Sequence, residues 1–297
     1  MMDGNINGNK LECRRLTKKY GKQEVLSQID LTLEKGKIYG LIGRNGAGKT
    51  TMLSILSAQN PATEGKVILD GKQVWENPQA LEHIYFSREI QPNSSANSSG
   101  LKVKDYLKIA REYLPYWDEE MAQRLLKLFH LDVKKKIIKL SKGMTSMLTI
   151  ILALASKADF TFLDEPVAGL DVVAREQFYR LLLEEFTESG RTFVISTHII
   201  EEAADLFEEV IFLHNGRILL KENTQELLEH SVYVSGKADA VDRAVEGKEV
   251  HRQETLGRSK GVMVRLKEGE SLSGEDITLQ PMNLQKIFVS LCGEEDA

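Results

Sequence analysis

The sequence predicts an α/β fold: a mostly parallel sheet covered on both faces, an antiparallel β subdomain, a helical insertion and a small α+β domain toward the C-terminus. Three features carry that expectation. "KIYGLIG", "DFTFLD" and "TFVIST" are continuous apolar runs of strand length, as strands buried on both faces require. Segments of helical spacing separate them, and parallel pairing needs such crossovers. The 297 residues, 42% hydrophobic and 28% charged, are also more than one core comfortably organises, so a second, smaller unit is expected.

Taken in order, residues 1–10 read as a disordered polar tail. "LECRRLTKKYG" and "QEVLSQIDLTLEKG" then alternate apolar and polar residues, the period of half-buried strands. After "KIYGLIG" come a glycine-rich turn, the helix "KTTMLSILSA", and "EGKVILDGK" as a hairpin or edge strand. From about 75 to 135 the character changes. "PNSSANSSG" is a flexible loop, and "KVKDYLKIAREYL" and "DEEMAQRLLKLFHL" are helical, so a helical subdomain is expected over about 92–145. From 149 helices and strands alternate again through "EVIFLH", and "NG" at 215–216 predicts a hairpin into "RILL". The main domain is therefore placed at 11–230. Residues 231–297 hold two short strands, "SVYVSG" and "VMVRLKEG", and a closing helix "MNLQKIFVSLC".

Composition narrows the function classes. A formal net charge of -5 gives no general reason to expect nucleic acid, and the basic stretch "VKKKIIKLSK" reads as a solvated face. No window holds the roughly 18 to 20 consecutive apolar residues of a membrane span. The start "MMDGNINGNK" lacks the pattern of a secretory signal. Cys13 and Cys292 lie too far apart in sequence to suggest a metal site or a disulfide framework, so a cytosolic, reduced setting is expected. The sequons at Asn93 and Asn97 are then accidents of a Ser/Asn-rich loop.

The chemistry begins with "GRNGAGKT" at 43–50, which matches G-x-x-x-x-G-K-[ST] between an apolar strand and a helix. The run Gly43, Arg44, Asn45, Gly46, Ala47 and Gly48 can turn backbone N–H groups onto phosphate oxygens at a positive helix end. Lys49 is expected on the β- and γ-phosphates, Thr50 on Mg²⁺, and Thr51 alongside, which makes ATP and Mg²⁺ the expected ligands. "FTFLDEP" ends a strand in Asp164, a partner for Mg²⁺ through water, and Glu165, placed to orient or deprotonate an attacking water. The next strand ends at His198, positioned for the γ-phosphate or for holding the water and Glu165 in register. "LSKGM" at 140–144 opens a helix with Ser141 and Gly143, either as a plain N-cap or as an anion-binding surface.

In the order "GRNGAGKT", "LSKGM", "FLDEP", "AGLD" and "STH", the chain resembles the ATPase subunits of ABC transporters over roughly residues 11 to 230. That resemblance implies a P-loop NTPase core and a head-to-tail dimer around two ATP molecules, of like or unlike subunits. Ser141 and Gly143 would cap the γ-phosphate of ATP held by the second subunit. The common family form is Leu-Ser-Gly-Gly-Gln, from which Lys142 and Met144 depart. Tyr20 is similar to the aromatic that stacks on adenine, and Asp171 of "AGLD" to the loop coupling the two sites. In "IYFSREIQP" either Glu89 or Gln91 stands for the glutamine that senses Mg²⁺, with Glu89 preferred by frame. The helical insertion would receive a separate transmembrane permease, placing the protein peripherally on the inner face of the membrane. Among family branches, "LSKGM" with an extended C-terminal domain resembles bacterial exporters of drugs and antimicrobial peptides. The competing reading, a soluble ABC-type ATPase acting on ribosomes or DNA, finds one cradle here, and only about 90 residues between cradle and signature with no heptads.

Overall fold

Alternation in the first strands produces a β layer. β1 (Lys10–Tyr20) and β2 (Gln23–Glu34) pair antiparallel, with Leu11, Cys13, Leu31 and Leu33 turned inward. The chain is described by a computed structural model covering residues 8–90, 100–267 and 269–293. β3 (Ile38–Ile42) is buried along its whole length and runs into α1 (Lys49–Leu56). β4 (Glu64–Leu69) and β5 (Lys72–Gln73) form a hairpin that completes a sheet of order β2-β1-β4-β5.

After α2 (Pro78–Leu81), β6 (Ile84–Ser87) enters a second sheet. Its "IYFS" lies in the stretch from about 75 where the sequence shows no strand pattern, just before the expected helical subdomain. Four residues show no period of their own, and parallel pairing with β7 (Phe160–Asp164) recruits them as a strand. Between these strands come α3 (Val103–Tyr113), α4 (Glu119–Leu128) and α5 (Lys142–Ala155). α5 is one continuous helix, capped by Ser141, whose hydroxyl accepts from the Met144 N–H at 3.2 Å. α6 (Val172–Ser189) starts on Asp171 as N-cap and stops at Gly190. β8 (Thr192–Thr197), α7 (Ile200–Ala203), β9 (Glu209–His214) and β10 (Arg217–Asn223) follow. α7 is four residues long, and Ala204–Leu206 continues from it as a tighter turn.

The central sheet has the order β10-β9-β3-β8-β7-β6, parallel throughout except for β10, which returns from the Asn215–Gly216 hairpin. Its faces are divided by the period of two. Ile38 and Ile42 point into the core shared with α5 and α6, while Tyr39 and Leu41 point into the core shared with β1, β2 and α1.

α8 (Thr224–Glu229) leads to a third sheet, of β11 (Ser231–Lys237), β12 (Glu249–Leu256), β13 (Ser259–Arg265) and β14 (Ile277–Pro281), with α9 (Ala238–Ala244) packed on it. α9, β12 and β14 have no counterpart in the sequence reading: α9 and β14 are short, and β12 is exposed over most of its length with no alternation. α10 (Leu284–Cys292) turns Leu284, Ile287 and Phe288 into the large core, with the Phe288 ring edge-on to Phe212 at 5.2 Å. Of the tail expected over 1–10, residues 1–7 lie outside the described residues and Lys10 already belongs to β1. Gln91 also lies outside them. Among the described residues, no helix is long and apolar enough to cross a membrane.

Candidate active site

Parallel strands all end on the same side of their sheet, and loops leaving those ends share one crevice. Here β3 ends at the Gly43–Gly48 turn, β7 at Asp164–Glu165 and β8 just before His198. The turn is built for close approach. Gly48 has φ 106, and a Cβ there would lie 2.7 Å from Leu26 Cδ2. Gly46 instead faces open space, with φ 84. Arg44, Asn45, Gly46, Gly48, Lys49, Thr50, Thr51, Val25 and Glu165 line a cleft of about 270 Å³. Ala47 is buried beneath it, and its N–H closes the turn on the Arg44 carbonyl at 3.1 Å.

Lys49 is 7% exposed and donates to the Gly43 carbonyl at 2.7 Å. Burial pulls its pKa below the ordinary lysine value, while Glu165 and Asp164 oppose that shift. Thr50 Oγ1 donates to Asp164 Oδ2 at 2.7 Å. The other Asp164 oxygen accepts from Ser196 Oγ, and that same hydroxyl accepts the Glu165 N–H at 3.2 Å. Ser196 is fully buried. One hydroxyl therefore fixes both acidic residues, a role the sequence reading left unassigned although "STH" contains it.

Glu165 has φ 48, unusual for a residue with a side chain and the kind of backbone strain that gathers at functional sites. His198 Nδ1 is 2.8 Å from its Oε2. Its Oε1 is buried without a hydrogen-bond partner, with the Lys49 ammonium 3.7 Å away. Behind this carboxylate a narrower cavity of about 210 Å³ is lined by Thr50, Glu89, Asp164 and Glu165 and by the α5 residues Thr145, Ser146 and Thr149. Glu89 thus faces the same space as Thr50 and Asp164. The three α5 hydroxyl residues were also missed; they sit one turn past "LSKGM", where spacing alone reads as a core-facing helix.

The remaining candidates lie elsewhere. Tyr20 ends β1, half-exposed, accepts a hydrogen bond from Asn60 Nδ2 at 2.5 Å and does not line either cavity. Ser141 and Gly143 also lie outside both linings. Gly143 instead packs on "AGLD": a Cβ there would come within 2.8 Å of the Gly169 carbonyl. Ser146 Oγ donates to the Ala168 carbonyl at 2.6 Å, which ties the start of α5 to the Ala168–Asp171 segment. Asp171 itself caps α6, accepting the Ala174 N–H at 2.8 Å.

The donor set fits a nucleotide triphosphate with its metal. The open face at Gly46, a buried ammonium and the first turn of α1 suit phosphate oxygens. A threonine hydroxyl and one carboxylate are the hard oxygen ligands that Mg²⁺ takes from protein while keeping water and phosphate for the rest.

A strand–glycine turn–helix with a carboxylate at the end of β7, one strand away across β8, defines a P-loop nucleoside triphosphatase. The ABC transporter family profile matches residues 26–168. The lantibiotic transport ATP-binding protein SrtF of Streptococcus pyogenes is 31% identical over 229 residues, 75% of this chain and 97% of that one. The chain belongs to the ABC transporter family, as an ATP-binding subunit whose hydrolysis of ATP is coupled to transport. The ABC transporter ATP-binding protein YtrB of Bacillus subtilis (strain 168) is 27% identical over 290 residues, 95% of this chain and 98% of that one, so the likeness includes the C-terminal sheet. The fold is shared with the ATP-binding cassette MJ0796, solved as a dimer with ADP and Pi, at TM-score 0.62 and 24% identity, covering 72% of this chain and 98% of that one.

Proposed function

We propose that this chain binds Mg²⁺-ATP in the cleft at Gly43–Thr51 and pairs with a second ATPase subunit to drive a separate transmembrane permease, as part of an exporter of antimicrobial peptides, drugs or similar cargo. The observation that carries the hydrolytic part is Glu165: strained in backbone, held by His198 on one oxygen and left without a hydrogen bond on the other, beside Thr50 and Asp164. A buried carboxylate oxygen with no hydrogen bond is costly unless a ligand completes it, and water next to a γ-phosphate is the ligand this position suits.

The roles follow from these contacts. Lys49 leaves the Gly43 carbonyl to grip the β- and γ-phosphates. Thr50 and Asp164 would hold Mg²⁺, and Glu89, which lines the same cavity, would sense it. Bound Mg²⁺ would draw off negative charge from the phosphate oxygens. Glu165 takes the proton of the attacking water, and His198 keeps its carboxylate aimed. Tyr20 stacks on adenine from the end of β1. Ser141 and Gly143 lie away from this cleft, which suits a second subunit's γ-phosphate, and Asp171 reports across that interface. A neighbour solved as a dimer supports the pairing, and a relative named for lantibiotic transport supports the cargo class. Residues 11–230 form the nucleotide-binding domain and 231–297 an accessory domain in this reading. With its permease, the protein would sit on the inner face of the membrane.

Size-exclusion chromatography of Glu165→Gln with and without ATP tests the reading. A shift to twice the mass with ATP is expected. Retained ATP binding with no shift would overturn pairing of this chain with itself, and absent ATP binding would overturn the cradle.

A further inference from the structure

Two segments leave the cleft in different directions, and one side chain joins them. The first, Ala168–Asp171, ends on the N-cap of α6. The second is α7, which starts two residues after His198 and is four residues long. Arg175, in the first turn of α6, reaches both. Its Nε donates to the Leu170 carbonyl at 3.0 Å, and its Nη1 donates to the two Glu202 carboxylate oxygens at 2.7 and 3.0 Å.

The two ends of this bridge differ in length and capping. α6 is a long helix with a side-chain cap and with Phe178, Leu181 and Leu182 in the core, so Arg175 stands on a fixed base. α7 has no side-chain cap and passes at once into a tighter turn; Ile200 and Ala203 seat one face of it in the core, and side chains from α6 and α10 hold its acidic face. Arg175 grips it through Glu202, and Asn283 Nδ2 at the start of α10 donates to Glu201 Oε1 at 3.1 Å. The His198 side chain, 49% exposed, therefore takes its pose from the backbone that α7 anchors. Tyr179 lies in the same neighbourhood. Burial first and then the Glu202 charge push its hydroxyl up to about 12, Arg175 opposes them, and Glu165 adds a smaller push.

We infer that Arg175 is a positioning residue for ATP hydrolysis: by tying Glu202 of α7 to the Leu170 carbonyl, it holds His198 and the Ala168–Asp171 segment in one register. The inference rests on the roles proposed above for His198 and Asp171. Its consequence is mechanical. A shift of Asp171 produced by the second subunit passes through Leu170 and Arg175 to the backbone that carries His198, so the two sites sense each other through one guanidinium. A fork of planar donors suits such a joint, because it constrains angle as well as distance, which a lysine ammonium does not. The pair is also partly exposed, 24% at Arg175 and 39% at Glu202, so its loss should register in turnover more than in unfolding.

The test is steady-state ATP hydrolysis by the full chain carrying Arg175→Ala, Arg175→Lys, Glu202→Gln or the Arg175→Ala/Glu202→Gln pair, with thermal midpoints measured in parallel. Arg175→Ala is expected to lower kcat between about tenfold and about a hundredfold, the upper figure being the cost of a catalytic group displaced by about 1 Å. KM for ATP should stay within about twofold and the midpoint within a few degrees. Arg175→Lys should recover part of kcat, and the double variant should be no slower than Arg175→Ala, since both changes cut one link. Unchanged kcat in Arg175→Ala, a rise in KM without loss of kcat, or losses that multiply in the double variant would overturn the inference. Lys49→Ala serves as the control: if it still binds and hydrolyses ATP, the site reading itself fails, whereas a dead Lys49→Ala beside a fully active Arg175→Ala sinks the positioning role alone.

Discussion

The central sheet and the C-terminal sheet make opposite uses of their strand ends. In the central sheet, β9, β3, β8, β7 and β6 run parallel, so Gly43, Asp164 and His198 meet in one crevice despite their separation in sequence. In the C-terminal sheet, β11, β12, β13 and β14 are antiparallel, so successive loops leave from opposite ends. Its own core is five valines, 234, 241, 245, 262 and 264. Parallelism gathers chemistry at one edge, and antiparallel pairing disperses it. What the C-terminal sheet does have is a hold on the core through α10, by the Phe288–Phe212 contact and the Asn283–Glu201 hydrogen bond.

The sharpest way to break this contrast is Lys49→Ala. Removing the one buried ammonium of the cradle should cost ATP turnover at least about two orders of magnitude, as loss of a preorganised charge at a reacting group does. Radiolabelled ATP binding and phosphate release read it directly. Phe288→Ala should do the reverse. Emptying an aromatic site in the core costs about 3–5 kcal/mol, seen as a lower urea midpoint. With the phosphate cradle untouched, ATP binding should persist at temperatures where the variant remains folded. If Phe288→Ala unfolds nothing, α10 is not the anchor of the C-terminal sheet.

How much of this was legible follows the same division. The crevice was readable because phosphate chemistry restricts residue type at each strand end, so Lys49, Thr50, Asp164, Glu165 and His198 are marked by identity and context together. Ser196 was not, since a buried serine in "TFVIST" is indistinguishable from a small strand residue until its hydroxyl is seen between Asp164 and the Glu165 N–H. Arg175 was missed for a related reason. On an amphipathic helix an arginine reads as a solvent-facing charge, and its partners lie 5 residues back and 27 residues ahead. β6, β12 and β14 escaped because pairing, not periodicity, makes them strands: β12 is mostly exposed, and its register shifts between His251 and Gln253.

The smallest expected effect sits where the central sheet begins. Glu209, at the start of β9, accepts from Lys37 and pairs with Lys221 at 2.6 Å. Burial pushes its carboxyl up, but the hydrogen bonds from Lys221 and Lys37 outweigh that and hold it below the ordinary value of 4.5. A carboxyl whose folded pKa is depressed binds more protons unfolded than folded. Its contribution is therefore complete above pH 4.5 and fades as the pH falls through the folded pKa. Glu209→Gln should cost about 1 kcal/mol or less at pH 7, discounted because both lysines remain partly in solvent. Against wild type, that gap should close on acidification toward about pH 3. Urea midpoints of the two proteins across this range measure it. A gap that widens toward low pH would mean that desolvation, not the two lysines, governs Glu209, and that this end of the sheet is held by apolar packing alone.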